Sequence, residues 1–198
     1  MIKNVIFDIG NVLLDFCWKD HIARFGFQGE KADRIAQAMM LGPIWPKLDL
    51  GLESDEDILE QFVAHTPELE QEIRLVFSDL STIVREYEGS VDWIESLKAR
   101  GYHTYYLSNY GERIRREASK ELSFLSHMDG GIMSYTVHLA KPDLAIYQTL
   151  LDRYGLKAEE CVFLDDTVRN VEAAQALGIA GIVVTSQEQA KKELETLL

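Results

Sequence analysis

Cysteine is nearly absent from this chain of 198 residues: Cys17 and Cys161 are the only two, far apart and with no CxxC spacing. That argues against a disulfide framework or a thiolate zinc site and fits a reducing compartment. Long apolar runs are missing as well. Nothing approaches the ~18 consecutive apolar residues of a membrane span. The N-terminal run Val5-Ile6-Phe7 stops at Asp8, too soon for a signal h-region. There is no repeat, low-complexity tract or Gly/Ser linker. Basic residues are scarce, 20 Lys and Arg against 33 Asp and Glu, for a formal net charge of −13. Such a surface repels nucleic acid and anionic lipid. The expectations are a cytoplasmic location, no nucleic-acid or membrane partner, and a monomer or weak homodimer. An anionic substrate would need a local cation or a metal to overcome that field.

What is present is an ordinary globular balance, 46% hydrophobic and 27% charged residues. The length suits one domain, or one domain carrying an insertion. Short apolar runs recur, each ending in polar residues. Val5-Ile6-Phe7 ends at Asp8, and His103 to Leu107 ends at Ser108-Asn109. Gly131-Ile132-Met133 leads by a loop to Lys141. Cys161 to Leu164 ends at Asp165-Asp166, and Ile179 to Val184 ends at Thr185. Runs apolar on both faces are what doubly covered parallel strands look like. Helical patterns lie between most of them: Asp92 to Arg100, Pro142 to Tyr154 with Pro142 in the first turn, and Val168 to Leu177. The expected fold is α/β, a Rossmann-like parallel sheet sandwiched by helices.

Residues 16–88 break the alternation. They show helical periodicity over Glu30 to Leu41, Ser54 to His65 and Pro67 to Leu80, and no good strand run. The expected organisation is a core of residues 1–15 and 89–198 with a small α-helical cap, 16–88, inserted after the first strand.

In open α/β sheets, ligands sit at the carboxyl ends of the strands. Those ends here carry Asp8, Ser108-Asn109, Lys141 and Asp165-Asp166. The set contains what phosphoryl transfer requires: a carboxylate to attack phosphorus, acids for a hard cation, and an ammonium and hydroxyl for the phosphoryl oxygens. Singly, each has a plainer explanation as a turn or helix-cap residue. All of them in order at strand ends are much harder to explain that way, and burying the acids together without a cation is costly.

These residues strongly resemble the four motifs of the haloacid dehalogenase-like (HAD) superfamily: Val5 to Leu13, Tyr106-Leu107-Ser108-Asn109, Lys141-Pro142-Asp143, and Val162 to Thr167. The Phe7-Asp8-Ile9-Gly10-Asn11-Val12 opening is similar to that of the α-D-glucose-1-phosphate phosphatase-like branch. The resemblance implies a phosphatase acting on a small phosphoester, a sugar phosphate by analogy with that branch. It implies Asp8 as nucleophile, with Mg²⁺ held by Asp8, the Gly10 carbonyl and Asp166 and with Asp165 nearby. Phosphate contacts would come from Ser108, the Asn109 backbone and Lys141.

One departure stands out. Most phosphatases of that superfamily carry a general acid two residues after the nucleophile, and here that residue is Gly10. Asp15 is the nearest substitute, with a loop or cap role as its alternative. In the inserted segment, Trp45 would stack on a sugar or simply pack, and Lys47 or Asp49 would bond hydroxyls. His21, Arg24, Tyr110 and Arg113 are further candidates for the pocket. Competing readings are a phosphotransferase or mutase, a dehalogenase, and a non-catalytic phospholigand-binding module.

Overall fold

The computed structural model describes residues 1–198. The chain opens with strand β1 (Asn4–Phe7) and the short β2 (Leu14–Phe16). Helices α1 (Trp18–Arg24), α2 (Gly29–Ala38), α3 (Pro46–Leu50), α4 (Asp55–His65) and α5 (Glu70–Phe77) follow, and β3 (Val84–Glu86) returns antiparallel to β2. Then come α6 (Ser90–Ala99), β4 (His103–Ser108), α7 (Glu112–Glu117), β5 (Gly130–Met133) and α8 (Leu144–Tyr154). The chain closes with β6 (Cys161–Asp165), α9 (Val168–Ala176), β7 (Ala180–Val183) and α10 (Gln187–Glu195).

Five parallel strands form one sheet in the order β5-β4-β1-β6-β7. This is the α/β, Rossmann-like sheet that the apolar runs predict. Alternate residues of each strand enter opposite layers. Val5, Phe7, Val162 and Leu164 pack with Trp93, Ile94 and Leu97 of α6 and with Ala190 and Leu194 of α10. Ile6, Cys161 and Phe163 pack with Ile146, Tyr147 and Leu150 of α8 and with Ala174 of α9. Burying a side chain of this kind stabilises by about 1.5–3 kcal/mol, so the two layers fix the sheet firmly. No helix is long and apolar enough to cross a membrane.

The register positions the chemistry. Phe7 is paired with Tyr106 on one side and Leu164 on the other, so the residues beyond them emerge together at the carboxyl edge. The neighbours of β1 lie to either side of it and connect in opposite directions, which makes its carboxyl end a switch point.

The structure differs from the sequence expectations in detail. Val84–Glu86 is a strand inside the stretch expected to have none. With three residues and only Val84 buried, it is too short for alternation to reveal. Helix α8 starts after Pro142, because Asp143 is its N-cap and accepts from the Ala145 N–H at 2.9 Å. Ser54 caps α4 as its sequence suggests, accepting from the Asp57 N–H at 3.1 Å. Over Pro67 to Leu80, a 3₁₀ turn at Pro67–Leu69 precedes the α-helix, which ends at Phe77.

Candidate active site at the strand ends

Asp8 directly follows β1, and its backbone N–H is held by the Leu164 carbonyl at 2.8 Å. Its Oδ1 accepts hydrogen bonds from the Ile9 N–H at 2.7 Å and the Ser108 hydroxyl at 2.7 Å, and the Lys141 ammonium lies 2.8 Å away. Oδ2 takes no hydrogen bond from the protein. One oxygen is therefore saturated, and the other is left for a partner from outside the chain.

Lys141 bridges two acids, with Nζ 2.6 Å from Asp165 Oδ2 as well. Burial pushes its pKa down, but Asp8 and Asp165 outweigh that and leave it raised, so it stays an ammonium. Burial drives Asp8 the other way, up to about 6, with Lys141 pulling it down and Asp165 pushing it up. Asp165 is fully buried. Its oxygens accept from the Thr167 N–H at 2.7 Å and from Asn170 Nδ2 at 3.1 Å, besides the ion pair. Asn109 clamps the lysine's backbone from both ends. Its Nδ2 donates to the Lys141 carbonyl at 3.0 Å, and its Oδ1 accepts from the Lys141 N–H at 2.8 Å. The Asn109 side chain is thus committed to placing Lys141.

Asp166 is less enclosed. Asn11, in the left-handed region at φ 56°, donates to its Oδ2 at 2.8 Å. Ligand atoms of Asp8, Asp165 and Asp166 all lie within 4.8 Å of one another. Three carboxylates against one ammonium leave an excess of negative charge in a mostly buried site. Such an all-oxygen set fits a hard divalent cation such as Mg²⁺.

Above these residues lies a cavity of about 240 Å³. Asp8, Gly10, Asn11, Ser108, Asn109, Asp166 and Thr167 form its floor. Leu14, Phe16, Trp45, Val84, Tyr110 and Ile114 give it apolar walls, and Asp49 of α3 is the one carboxyl the helical segment contributes. Trp45 also packs within that segment, 6.1 Å from the Phe16 ring and 6.2 Å from the Phe62 ring.

Several expected pocket residues lie elsewhere. Asp15 is on the far face of β2: its neighbours Leu14 and Phe16 line the cavity, and side chains alternate along a strand. It faces Arg85 across the ribbon and accepts from Cys17 Sγ at 3.2 Å. Lys47 turns to Gln61 at 2.6 Å and Glu53 at 3.1 Å. His21 is fully buried between Thr82 and the Val76 carbonyl, at 3.0 and 3.4 Å. Arg24 pairs with Asp79. Arg113 pairs with Glu117 at 2.8 Å and lies over the Phe77 ring. Tyr110 does line the cavity, as its place after Ser108-Asn109 suggests. Sequence reasoning missed Leu14, Phe16, Val84 and Ile114; the burst of apolar residues after Asp8 was the available signal for the first two.

The model of the haloacid dehalogenase-like hydrolase family matches residues 2–178. A sesquiterpene phosphatase, AstK of Aspergillus oryzae, is 26% identical over 201 residues, covering 99% of this chain and 96% of that protein. Acyl-CoA dehydrogenase family member 10 of Mus musculus is 31% identical over 207 residues, and there the chain spans only 19% of the relative's length. Among solved structures, a HAD family enzyme of Bacteroides thetaiotaomicron, in complex with magnesium and inorganic phosphate, superposes with a TM-score of 0.72 at 22% identity. That match covers 94% of this chain and 96% of the other.

Proposed function

This chain belongs to the haloacid dehalogenase-like hydrolases, and from that premise we propose that it is a Mg²⁺-dependent phosphatase of small phosphomonoesters with Asp8 as nucleophile. The observation that carries this reading is the state of Asp8: one oxygen fixed by three donors, the other unbonded, at the floor of a cavity lined by further acids. A phosphatase among the full-length relatives supports it.

Asp8 attacks the phosphorus, and the ester bond to the leaving oxygen breaks. Lys141 and Ser108, both within hydrogen-bond reach of Asp8, shift their donors toward the phosphoryl oxygens as charge develops there. Asp165 and Asn109 hold Lys141 from either side, so its charge is aimed before substrate arrives. Water then releases phosphate from Asp8. The residues that would hold Mg²⁺ are Asp8, the Gly10 carbonyl and Asp166; the ion would neutralise phosphoryl charge. Asp165, with its oxygens already engaged by Lys141, Thr167 and Asn170, serves Lys141 in this reading. Residues 16–88 act as a cap over a core of 1–15 and 89–198.

The cavity walls bear on the substrate. The superfamily branch with a similar opening suggests a sugar phosphate. Leu14, Phe16, Trp45, Val84 and Ile114 instead suit a leaving group with an apolar body. A screen pairing sugar phosphates with aryl, alkyl and isoprenoid phosphates decides this. Mg²⁺-dependent turnover, with beryllium fluoride trapped on Asp8, is the expected result. An Asp8→Asn variant that still turns over at the wild-type rate would sink the assignment. The apolar walls also suit a dehalogenase, which would attack carbon without a metal. Halide release from chloropropionate insensitive to chelator would establish that reading instead.

A further inference from the structure

If Asp8 attacks a phosphoester, an ordinary alcohol leaves as an alkoxide unless it is given a proton. The loop after β1 has no acid to supply it, since Ile9, Gly10 and Asn11 follow Asp8. The proton then comes from a water or from a side chain elsewhere on the cavity wall. The protonatable side chains there are Asp8, Asp49, Tyr110 and Asp166. Asp8 is committed to attack. Asp166 lies on the floor beside it, bonded to Asn11 and grouped with the other acids. The Tyr110 hydroxyl is buried without a partner, and burial pushes its pKa far above the ordinary phenol range, so it yields a proton poorly.

Asp49 is left, and its position is well built. Helix α3 ends at Gly51, in the left-handed region at φ 61°, where an added Cβ would lie 2.9 Å from Tyr135 Cβ. Only glycine allows so close an approach of α3 to the loop after β5. There the fully buried Ser134 hydroxyl donates to the Asp49 carbonyl at 2.5 Å and accepts from the Tyr110 N–H at 2.9 Å. His138 Nδ1 lies 2.9 Å from the Leu50 carbonyl. These contacts tie the backbone of α3 to the carboxyl edge of the sheet. The Asp49 carboxyl itself makes no hydrogen bond to the protein and faces the cavity.

We propose that Asp49 is the general acid and base of this site, acting on the leaving-group side of the cavity. The inference rests on the phosphatase reading. In the first step, an Asp8 oxygen lone pair forms the bond to phosphorus. The bond from phosphorus to the ester oxygen breaks with its electron pair on that oxygen, which takes the Asp49 proton. In the second step, the Asp49 carboxylate takes a proton from water as the water oxygen bonds to phosphorus. The bond from phosphorus to Asp8 breaks, restoring both carboxyl groups to their starting states and releasing inorganic phosphate. Burial raises the Asp49 pKa to about 7, with Asp8 raising it further and Lys141 opposing, a range suited to both roles near neutrality. Lys47, on the same helix, is turned away to Gln61 and Glu53.

The test compares leaving groups. Phenethyl phosphate needs a proton donor for its alkoxide; p-nitrophenyl phosphate does not. In Asp49→Asn, single-turnover phosphorylation by phenethyl phosphate should fall by about 10²–10⁴-fold. The p-nitrophenolate burst should stay within about threefold of wild type, with slow turnover after it because the second step has lost its base. Asp49→Ala carries the same expectation should the amide variant not fold, and added formate should restore part of its phenethyl phosphate cleavage. Equal losses on both esters, or no loss on either, overturn the proposal. Wild-type inactivity on both esters would instead remove the phosphatase reading, and this inference with it.

Discussion

At and beneath the floor of the cavity, the charged groups around Asp8 hold one another in place. Asp8, Ser108, Lys141 and Asp165 are linked by contacts of 2.6–2.8 Å, three of them at the ends of adjacent strands and Lys141 brought in from a loop that Asn109 clamps. On the opposite side, Asp49 stands among apolar side chains with a free carboxyl, carried by a five-residue helix. The two regions face the same space but spend their structure differently. The floor uses neighbouring charges to hold one another in place, with desolvation as the penalty. The roof fixes the backbone, through Ser134 and Gly51, and leaves the functional group unsatisfied. Under the proposed mechanism the contrast suits a fixed electrostatic bed on one side and, on the other, a group that changes its protonation state in each cycle.

The strongest test of the floor is Asp8→Asn, expected to lower kcat/KM on p-nitrophenyl phosphate by about 10⁴-fold or more, since an amide in place of the Asp8 carboxylate cannot form the acyl-phosphate. Next is Lys141→Met. It leaves Asp8 and Asp165 as buried like charges, so chemical denaturation should reveal a loss of about 3–5 kcal/mol. Asp165→Asn should cost less, because Lys141 would keep Asp8 as a partner. The acid cluster predicts a ligand effect as well. Mg²⁺ at 100 times its Kd should stabilise the protein by about 2.7 kcal/mol, or roughly 5–11 °C in Tm. Asp166→Asn should abolish that shift, and a full shift in this variant would remove Asp166 from the metal site.

The smallest expected effect belongs to the roof. Asp49 has a folded pKa of about 7 against an ordinary 3.8, raised first by burial and then by Asp8. The folded state therefore holds the proton more tightly, and stability falls as pH rises from the unfolded value through the folded one. Asp49→Asn removes that penalty. In chelated protein the variant should be more stable than wild type by about 1–2 kcal/mol near pH 8, after allowing for water in the cavity, and no more stable near pH 4. A stability gain that is the same at both pH values would show that the amide acts through packing rather than charge.

The floor was legible in the sequence because its residues are punctuation. Asp8, Ser108, Lys141 and Asp165 each end or follow an apolar run, and parallel strands in register bring such ends together. The sheet was legible for the same reason, its strands being apolar on both faces. The roof was not. Sequence alone suggests a hydroxyl-binding role for Asp49 and makes Asp15 the substitute acid, because Asp15 lies nearer Asp8 in the chain. The alternation of the three-residue strand β2 turned Asp15 away, and the docking of α3 through Ser134, 85 residues distant, brought Asp49 in. No local pattern encodes such a contact. Lys47 and His21 failed as pocket residues for a similar reason: each found a partner inside the helical segment.

Gly10 leads one step further. A Cβ built there meets no atom within 4 Å, so a Cβ is not crowded out at the position two residues beyond Asp8. Crowding at that carbon therefore does not account for the missing acid. An enzyme with its proton donor in the nucleophile's own loop is complete before its cover is in place. One that carries the donor in a separate segment is inert toward poor leaving groups until that segment is docked. In the proposed mechanism the bare glycine makes assembly itself a condition of reactivity toward poor leaving groups.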